Sequence, residues 1–200
     1  MKKHLPYILI VAAALLLSAC QDPAGNQEKT EEKAAGTTGS EEKKEVFGNY
    51  AADALNGLKT NTNTIFDQAE LTVVYIWDLS CGSCKEEMET LGDIGREYAG
   101  KGVQILGIAR GIDAGNEEEA AAVSAAAGAD YVQLIATEEM DDNVLHKYSE
   151  APITIMVGRD GEILGDAVTG TKDSAWWDSE VEKYHSKVCV NDHPADCGVG

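Results

Sequence analysis

The most constraining feature of the sequence is a pair of cysteines, Cys81 and Cys84, between a strand-like segment and a helix-like one. Residues 71–77 form a nearly continuous apolar, β-rich run, which is typical of a central strand buried on both faces. Cys84 begins an apolar stripe at helical spacing, which continues through Met88, Leu91, Ile94 and Tyr98. Gly100 ends this stripe, and we expect it to act as the C-cap of the helix.

The spacing of the two cysteines indicates thiol-disulfide chemistry. At the start of a helix, Cys-x-x-Cys puts both sulfur atoms on one turn, close enough for a disulfide. The helix dipole and the free backbone N–H groups there favour the thiolate of Cys81, which is the nucleophilic form. Cys84 heads the apolar stripe, so we expect it to be more buried. Cys81 would attack a partner disulfide, and Cys84 would displace the reduced partner; the reverse steps would oxidise a dithiol.

Glu87 lies one turn beyond Cys84, on nearly the same face of the predicted helix. From there it could accept a proton when Cys84 becomes a nucleophile. The alternative is a solvated helix acid, because Glu86 and Glu89 lie in the same turns. Both interpretations stay open on the sequence alone.

The chain after this helix alternates between strand and helix patterns. The segments that we predict are, in order, a strand at 103–109, a helix at 117–127, a strand at 132–136, a helix at 138–148, a hairpin of 153–157 and 162–164 around Asp160-Gly161, and a helix at 174–188. A further hairpin turn is predicted at Asn56-Gly57. The order β-α-β-α-β-α-β-β-α predicts an α/β sandwich with a mixed central sheet flanked by helices.

The N-terminus has the pattern of a secretion signal over residues 1–19. A basic start precedes an apolar run at 7–17, which is too short for a comfortable membrane span of roughly 20 residues. The sequence Leu-Ser-Ala-Cys ending at Cys20 resembles the lipobox of bacterial lipoproteins, in which the cysteine is acylated. This resemblance implies a lipid anchor at Cys20 on the outer side of a membrane in the bacterial cell envelope. The alternative is an ordinary cleaved signal followed by a chance cysteine.

Composition divides the rest of the chain. Residues 21–45 contain no Val, Ile, Leu, Met or aromatic side chain, so we expect residues 20–45 to be a lipidated cysteine followed by a disordered acidic linker. Residues 46–188 are predicted to be one domain, and 189–200 a cysteine-containing tail. The 35 acidic and 16 basic residues give a net charge of −19, which argues against nucleic acid or anionic lipid as partners.

The segments 73–77 and 81–88 together resemble the TlpA-like thiol-disulfide oxidoreductases of the thioredoxin superfamily. The match consists of a strand, W-x-x-x-C-x-x-C and a following K-x-E-[MF] helix, and weaker landmarks extend it to about residue 184. It implies a thioredoxin-like fold, with Cys81 as attacking thiol, Cys84 as resolving thiol and Glu87 as an acid serving the site. The positions implied to contact substrate are Trp77, Gly82, Ser83, Ala151 and Pro152.

Pro152 corresponds to the cis-proline that faces the disulfide in this family. It is the only proline between Val46 and the tail, and it precedes an apolar strand; a trans, purely structural proline is the alternative. The chain departs from the family pattern at Ser80, Ser83 and Ala151, and Tyr75 stands where thioredoxin has a buried acid. In proteins of this family these positions tune redox potential and partner contact, so the resemblance implies that the direction of electron flow depends on them.

The resemblance also implies partners. Tethered members commonly draw electrons from a CcdA-like membrane protein and reduce apocytochromes or other secreted thiols, so we expect protein thiols and disulfides as substrates. We expect reduction as the direction, a monomer as the functional state, and no cofactor besides the Cys81–Cys84 disulfide. The chief rival is a non-enzymatic binding lipoprotein, in which that pair is a permanent staple or half of a zinc site.

Two cysteines remain in the tail. Cys189 and Cys197 are expected to form a structural disulfide, because the compartment is oxidising. A second redox relay, or a metal site that adds His193, are the alternatives; we expect no metal. His146 and His185 are expected on helix surfaces. A peroxiredoxin is excluded, because residues 75–80 lack the threonine and proline that precede its reactive cysteine.

Overall fold

The computed structural model describes residues 44–192. Its strands are β1 (Ala51–Asp53), β2 (Lys59–Asn61), β3 (Leu71–Asp78), β4 (Val103–Arg110), β5 (Val132–Ile135), β6 (Ile153–Gly158) and β7 (Ile163–Thr169). Its α-helices are α1 (Thr62–Phe66), α2 (Cys84–Tyr98), α3 (Glu117–Ala126), α4 (Glu138–Asn143) and α5 (Ser174–Asp192). No helix within this part of the chain is long and apolar enough to cross a membrane.

A mixed five-stranded sheet in the order β5-β4-β3-β6-β7 forms the centre of the domain. The pairs β3–β4 and β4–β5 are parallel, whereas β3–β6 and β6–β7 are antiparallel. Strand β3 lies in the middle, and its residues 71–77 are all buried. Burial on both faces explains why this strand is a continuous apolar run, and the predicted α/β sandwich with a mixed sheet is confirmed.

The two faces of β3 contribute to two separate cores. Its odd-numbered residues, Tyr75 and Trp77 among them, pack under α2 and α5. Its even-numbered residues, such as Val74 and Ile76, pack against the N-terminal segment and α1. Side chains alternate across a strand, so each layer of the sandwich receives every second residue.

The predicted hairpin turn at Asn56-Gly57 is confirmed. β1 and β2 pair antiparallel, and Gly57 has φ of 80°, which suits the turn. Ala54 forms a bridge with Leu134 of β5, so this hairpin covers part of the sheet edge. The short helix α1 that follows was not predicted; Asn61 caps it by accepting a hydrogen bond from the Thr64 N–H at 2.9 Å.

Three predicted helix ends differ from the structure. α2 is followed by a 3₁₀ turn (Ala99–Lys101), and the left-handed cap is Gly102, with φ of 78°, rather than Gly100. α4 ends at Asn143, because Val144 leaves helical geometry before a second 3₁₀ turn, where a single helix over 138–148 was predicted. α5 runs on to Asp192 instead of stopping at 188.

Several predicted features lie outside the described residues. These are the signal at 1–19, the acylated Cys20, all but the last two linker residues, His193 and Cys197. They remain predictions from the sequence.

Candidate functional site

Cys81 and Cys84 lie between the end of β3 and the start of α2, as predicted. They form a disulfide with a Cα–Cα distance of 5.4 Å. Cys84 is 1% exposed and belongs to the core beneath α2, whereas Cys81 is half-buried. The expected difference in burial is therefore confirmed. Because only Cys81 reaches the surface, it is the sulfur that an incoming thiol or disulfide would meet first.

Short-range hydrogen bonds hold the loop before Cys81. The Asp78 carboxylate accepts from the Ser80 N–H at 2.8 Å and from the Ser80 hydroxyl at 2.5 Å. The Cys81 N–H donates to the Asp78 carbonyl at 3.2 Å. Gly82 and Ser83 are exposed between the cysteines, and the Ser83 Oγ lies 3.9 Å from the Cys81 Sγ. Both stay available for contact with a partner.

The Ala151–Pro152 peptide bond is cis, as the resemblance implied. Strand β6 begins at Ile153, which pairs antiparallel with Ile76 of β3. The entrance to β6 and the exit from β3 are therefore at the same end of the sheet. Ala151 packs against the same core as Cys81, and Pro152 is buried. The structure thus brings the proline and the cysteine pair to one edge.

Glu87 is buried, with 2% of its surface exposed, so the solvated-acid alternative is wrong. Its Oε1 accepts the Lys172 backbone N–H at 2.8 Å and the Trp177 indole N–H at 3.1 Å. Its Oε2 is buried and has no hydrogen-bond partner among residues 44–192. Burial raises the pKa of Glu87, and the surrounding hydrogen bonds only partly oppose this shift.

Tyr75 links β3 to the first turn of α2. It is fully buried, and its hydroxyl donates to the Cys84 carbonyl at 3.1 Å. Burial raises the pKa of this hydroxyl, and the neighbouring Glu87 carboxyl raises it further. The phenol therefore stays neutral at ordinary pH.

Trp77 was expected to contact substrate, but it is fully buried. Its indole N–H donates to the Gln133 Oε1 at 2.9 Å. Trp77 precedes the motif at the end of a strand whose odd-numbered residues all face the core, so its ring points inward. It supports the site from beneath, and direct substrate contact is not available from this position.

Sequence reasoning missed three residues that hold the site: Lys172, Trp177 and Gln133. Lys172 acts through its backbone, which no sequence pattern could have indicated. Trp177 was visible as half of a Trp-Trp pair at the start of α5, and Gln133 as the one polar residue of an otherwise apolar strand. Each of the three residues forms a hydrogen bond with a residue near the cysteines: Lys172 and Trp177 with Glu87, and Gln133 with Trp77.

His185 and Cys189 lie together near the end of α5. His185 Nε2 is 2.6 Å from the Lys101 carbonyl oxygen and 3.1 Å from the Cys189 Sγ. His185 is half-buried rather than a free surface residue, whereas His146 is exposed as expected. Since Cys197 lies outside the described residues, its disulfide with Cys189 stays a prediction.

Two cavities lie away from the cysteine pair. One, of about 330 Å³, is lined by residues of α3 and β5 with Leu55 and Asn56, and the other, of about 520 Å³, lies beside β1 and β2. Cys81, Cys84 and Glu87 line neither. The cysteine pair reaches the surface through the half-buried Cys81, beside the exposed Gly82 and Ser83.

No protein-family model and no curated protein matches the sequence. Solved structures do match the fold. The thioredoxin domain of a thiol-disulfide oxidoreductase from Bacteroides vulgatus is 19% identical, with a TM-score of 0.56 over 70% of this chain and 95% of that one. A thiol:disulfide interchange protein of the thioredoxin family from Chlorobium tepidum is 16% identical, with a TM-score of 0.59 over 70% and 95%.

A third match is a secreted disulfide oxidoreductase from Mycobacterium tuberculosis. It is 17% identical, with a TM-score of 0.51 over 67% of this chain and 95% of that one. At such identities the likeness concerns the fold. The described domain has the thioredoxin-like fold, with a disulfide at Cys81 and Cys84, and the predicted fold class is confirmed.

Proposed function

We propose that this chain is a thiol-disulfide oxidoreductase whose reactive pair is Cys81 and Cys84. The observation that carries the proposal is the position of the disulfide. A half-exposed Cys81 and a buried Cys84 lie at the start of a helix, at the edge where the cis Ala151–Pro152 peptide also lies, with a buried acid three residues further on. A staple that only stabilises the fold needs neither an accessible sulfur nor a buried carboxyl group nearby.

The proposed cycle starts from the reduced pair. The Cys81 thiolate attacks one sulfur of a partner disulfide; a Cys81–partner bond forms, the partner disulfide breaks, and the other partner sulfur leaves as a thiolate. Cys84 then gives its proton to Glu87 and attacks the Cys81 Sγ. The Cys81–partner bond breaks, and the second partner sulfur leaves. Two electrons pass from the dithiol to the partner, and the protein is left oxidised.

Partner recognition would fall to residues beside Cys81. Gly82 and Ser83 are exposed on one side, and Ala151 is half-buried on the other. An extended partner segment placed between them would meet the sulfur of Cys81 directly. This arrangement supports protein thiols and disulfides as the substrate class.

We also infer an extracytoplasmic location with a lipid anchor at Cys20. Three observations support this: the lipobox-like sequence, the absence of Val, Ile, Leu, Met and aromatic residues from 21–45, and the description of the Mycobacterium tuberculosis protein of the same fold as secreted. A tether of that length has a root-mean-square reach of about 25–30 Å, so a monomeric domain could meet a membrane electron donor of the CcdA-like type. Such a donor supports net reduction of secreted proteins as the direction.

The reduction potential of the full chain in detergent tests the proposal. Thiol labelling of Cys81 and Cys84 in thiol redox buffers, read by mass spectrometry, should give one reversible two-electron couple. A potential near or below about −250 mV supports a reductant, and one above about −150 mV supports an oxidant. The absence of a reversible couple, or stoichiometric zinc on the reduced pair, would favour the non-enzymatic binding lipoprotein instead.

A Cys84→Ser variant should trap partners. Without the resolving sulfur, the mixed disulfide on Cys81 cannot be displaced from within, so partners should remain attached through a bond that reductant cleaves. The matched control is Cys81→Ser, which cannot form that bond. Equal recovery from the two variants would argue against the enzyme.

A further inference from the structure

The two oxygens of the Glu87 carboxyl group have different surroundings. Oε1 receives both nearby donors, the Lys172 backbone N–H at 2.8 Å and the Trp177 indole N–H at 3.1 Å. Oε2 is buried without a partner in the described part of the chain. A buried carboxylate oxygen normally finds a donor, since leaving it unpaired is unfavourable. The asymmetry therefore calls for an explanation.

The donors close to Glu87 differ in how they are used, and the Tyr131 hydroxyl, which lies near the carboxyl group, has no hydrogen-bond partner among residues 44–192. The Tyr75 hydroxyl donates to the Cys84 carbonyl at 3.1 Å, and its interaction with the Glu87 carboxyl group lowers the pKa of Glu87. The Lys172 ammonium group donates to the Thr169 and Gly170 carbonyls, at 2.7 and 3.1 Å. Oε2 therefore has no hydrogen-bond partner in residues 44–192, whereas Oε1 accepts two hydrogen bonds.

The segment of residues 170–177, which supplies both hydrogen-bond donors to Glu87, also contacts the cis-proline. Gly170, two residues before Lys172, donates its backbone N–H to the Pro152 carbonyl at 3.0 Å. The Asp173 carboxylate then caps α5 by accepting the Trp176 N–H at 2.9 Å, and this fixes the start of the helix that carries Trp177. Residues 170–177 therefore fix Glu87 relative to the proline that flanks the cysteine pair.

We propose that Trp177 is a positioning residue, which with the Lys172 N–H fixes Oε1 of Glu87 so that Oε2 remains the atom that accepts the Cys84 proton. The inference rests on the proposed function. Its chemistry is a single proton transfer: the S–H bond of Cys84 breaks, an O–H bond forms at Oε2, and the electron pair left on sulfur makes the Cys84 bond to Cys81. Trp177 never exchanges its own proton.

The titratable and charged groups that interact with Glu87 come from three parts of the chain: Tyr75 lies on β3, Tyr131 before β5, and Lys172 before α5. Cys84 lies one helical turn before Glu87 on α2. Tyr75 and Tyr131 stay neutral at ordinary pH, because burial raises the pKa of both hydroxyls. With Cys84 held in the disulfide, a titration in this cluster on the acid to neutral side belongs to Glu87.

The first test uses the oxidised full chain in detergent, where neither Cys81 nor Cys84 titrates. Nuclear magnetic resonance should show the Trp177 indole proton and the Lys172 amide proton shifting with one common midpoint, equal to that of the Glu87 carboxyl carbon. The adjacent Trp176 indole should not follow it, and Glu87→Gln should abolish the shift. Different midpoints, or a shift that persists in Glu87→Gln, would overturn the proposal.

The second test compares Trp177→Phe with Trp176→Phe. Losing a hydrogen bond to a charged group should raise the midpoint of Glu87 by about one pH unit in Trp177→Phe only. The acid limb of the rate at which Cys84 resolves a mixed disulfide should move by the same amount. Equal midpoints in the two variants would overturn the proposal.

The two tests separate this inference from the proposed function. If Trp177→Phe does not fold, the titration of the wild-type chain and Glu87→Gln still decides. The oxidised titration needs no thiol exchange, so a chain that titrates as expected but exchanges with no thiol would refute the enzyme and leave the Trp177–Glu87 contact standing.

Discussion

A carboxyl group that is buried with one unbonded oxygen is destabilising when it is charged, and Glu87 is in this situation. Burial raises its pKa above the unfolded value, so the folded chain holds an extra proton between the two pKa values. The stability that this proton contributes is present below the unfolded pKa, near 4.3, and is lost as pH rises through the folded pKa. Glu87 should therefore cost stability in neutral and alkaline solution.

Replacing Glu87 with glutamine should stabilise the fold in a pH-dependent way. The amide oxygen can still accept from the Lys172 N–H and the Trp177 indole, and no charge is buried. We expect the free energy of unfolding to rise by roughly 1–3 kcal/mol at about pH 8, with a smaller gain at about pH 5. Urea unfolding at both pH values measures this.

The matched control for that prediction is Glu86→Gln on the exposed side of the same helix turn. A surface acid without a buried partner should change stability by less than about 0.5 kcal/mol at either pH. If Glu87→Gln were as neutral as Glu86→Gln, or if its gain did not grow with pH, the carboxyl group would not be buried in charged form.

The same residue shows where sequence reasoning stops. Helical spacing placed Glu87 near Cys84 correctly, but it could not decide between a solvated and a buried acid. That decision depends on Lys172 and Trp177, which are more than 80 residues away in the chain and meet Glu87 only after α5 folds over α2. Long-range contacts of this kind leave no periodic signal.

At the scale of strands, Gly107 explains how Trp77 is held under the motif. Across the sheet, Tyr75, Gly107 and Gln133 are direct neighbours on β3, β4 and β5. A Cβ on Gly107 would lie only 1.8 Å from the Gln133 Oε1, the atom that accepts the Trp77 indole N–H. The bare backbone of β4 thus leaves room for the amide that orients Trp77.

Gly107→Ala should displace the Gln133 amide and break its bond to Trp77. We expect a loss of about 2 kcal/mol or more in unfolding free energy, because a buried overlap and an unpaired indole N–H arise together. Intrinsic fluorescence should report a change around Trp77. In contrast, Gly82→Ala has open space around its Cβ and should keep wild-type stability; equal stability of the two variants would contradict the packing argument.

The glycine that caps the chain after α2 is Gly102 rather than Gly100. Gly102 has a left-handed backbone, and a Cβ there would also come within 3.2 Å of the Glu70 Cγ. Gly102→Ala should destabilise the domain by about 1 kcal/mol, whereas Gly100→Ala, in open space within the 3₁₀ turn, should be neutral or slightly stabilising. Thermal unfolding distinguishes them, and the reverse order would restore Gly100 as the cap.

Helix ends were the least predictable elements, for a physical reason. Gly100 and Gly102 both follow the apolar stripe, and only the path of the chain into β4 selects between them. The break of α4 at Val144 likewise depends on tertiary packing, since Val144 and Leu145 are both buried in the core under that face. The strands of the central sheet, whose alternation or continuous burial is local, were predicted to within about one residue, except β7, which continues to Thr169. For β1 and β2 only the turn between them was predicted.

For the whole molecule, the sandwich and its reactive edge follow from the order of elements. A parallel β3–β4 pair places the Cys-x-x-Cys turn at the carboxyl end of the central strand, and an antiparallel β6 brings Ala151–Pro152 to the same edge. The position of the cysteine turn was expected from the residues, and the proline beside it was expected from the family resemblance. The polar groups that hydrogen-bond to residues of the site were not expected from the sequence. They come from β5, from the loop before α5 and from α5 itself, which all lie outside the sequence motif.

The charge of the whole chain should select partners by sign. With 35 acidic and 16 basic residues, it should attract cationic segments and repel anionic ones through long-range fields. We expect the reduced protein to react about tenfold faster with a disulfide peptide flanked by lysines than with one flanked by glutamates, at about 0.01 M salt. At about 0.5 M salt the two rates should converge, because salt screens the long-range attraction and repulsion and leaves the sulfur chemistry unchanged.

A neutral peptide with the same disulfide serves as the control, and its rate should hardly depend on salt. Stopped-flow measurement of the second-order rates decides; a preference that persists at high salt would instead place charge recognition in direct contacts beside Cys81.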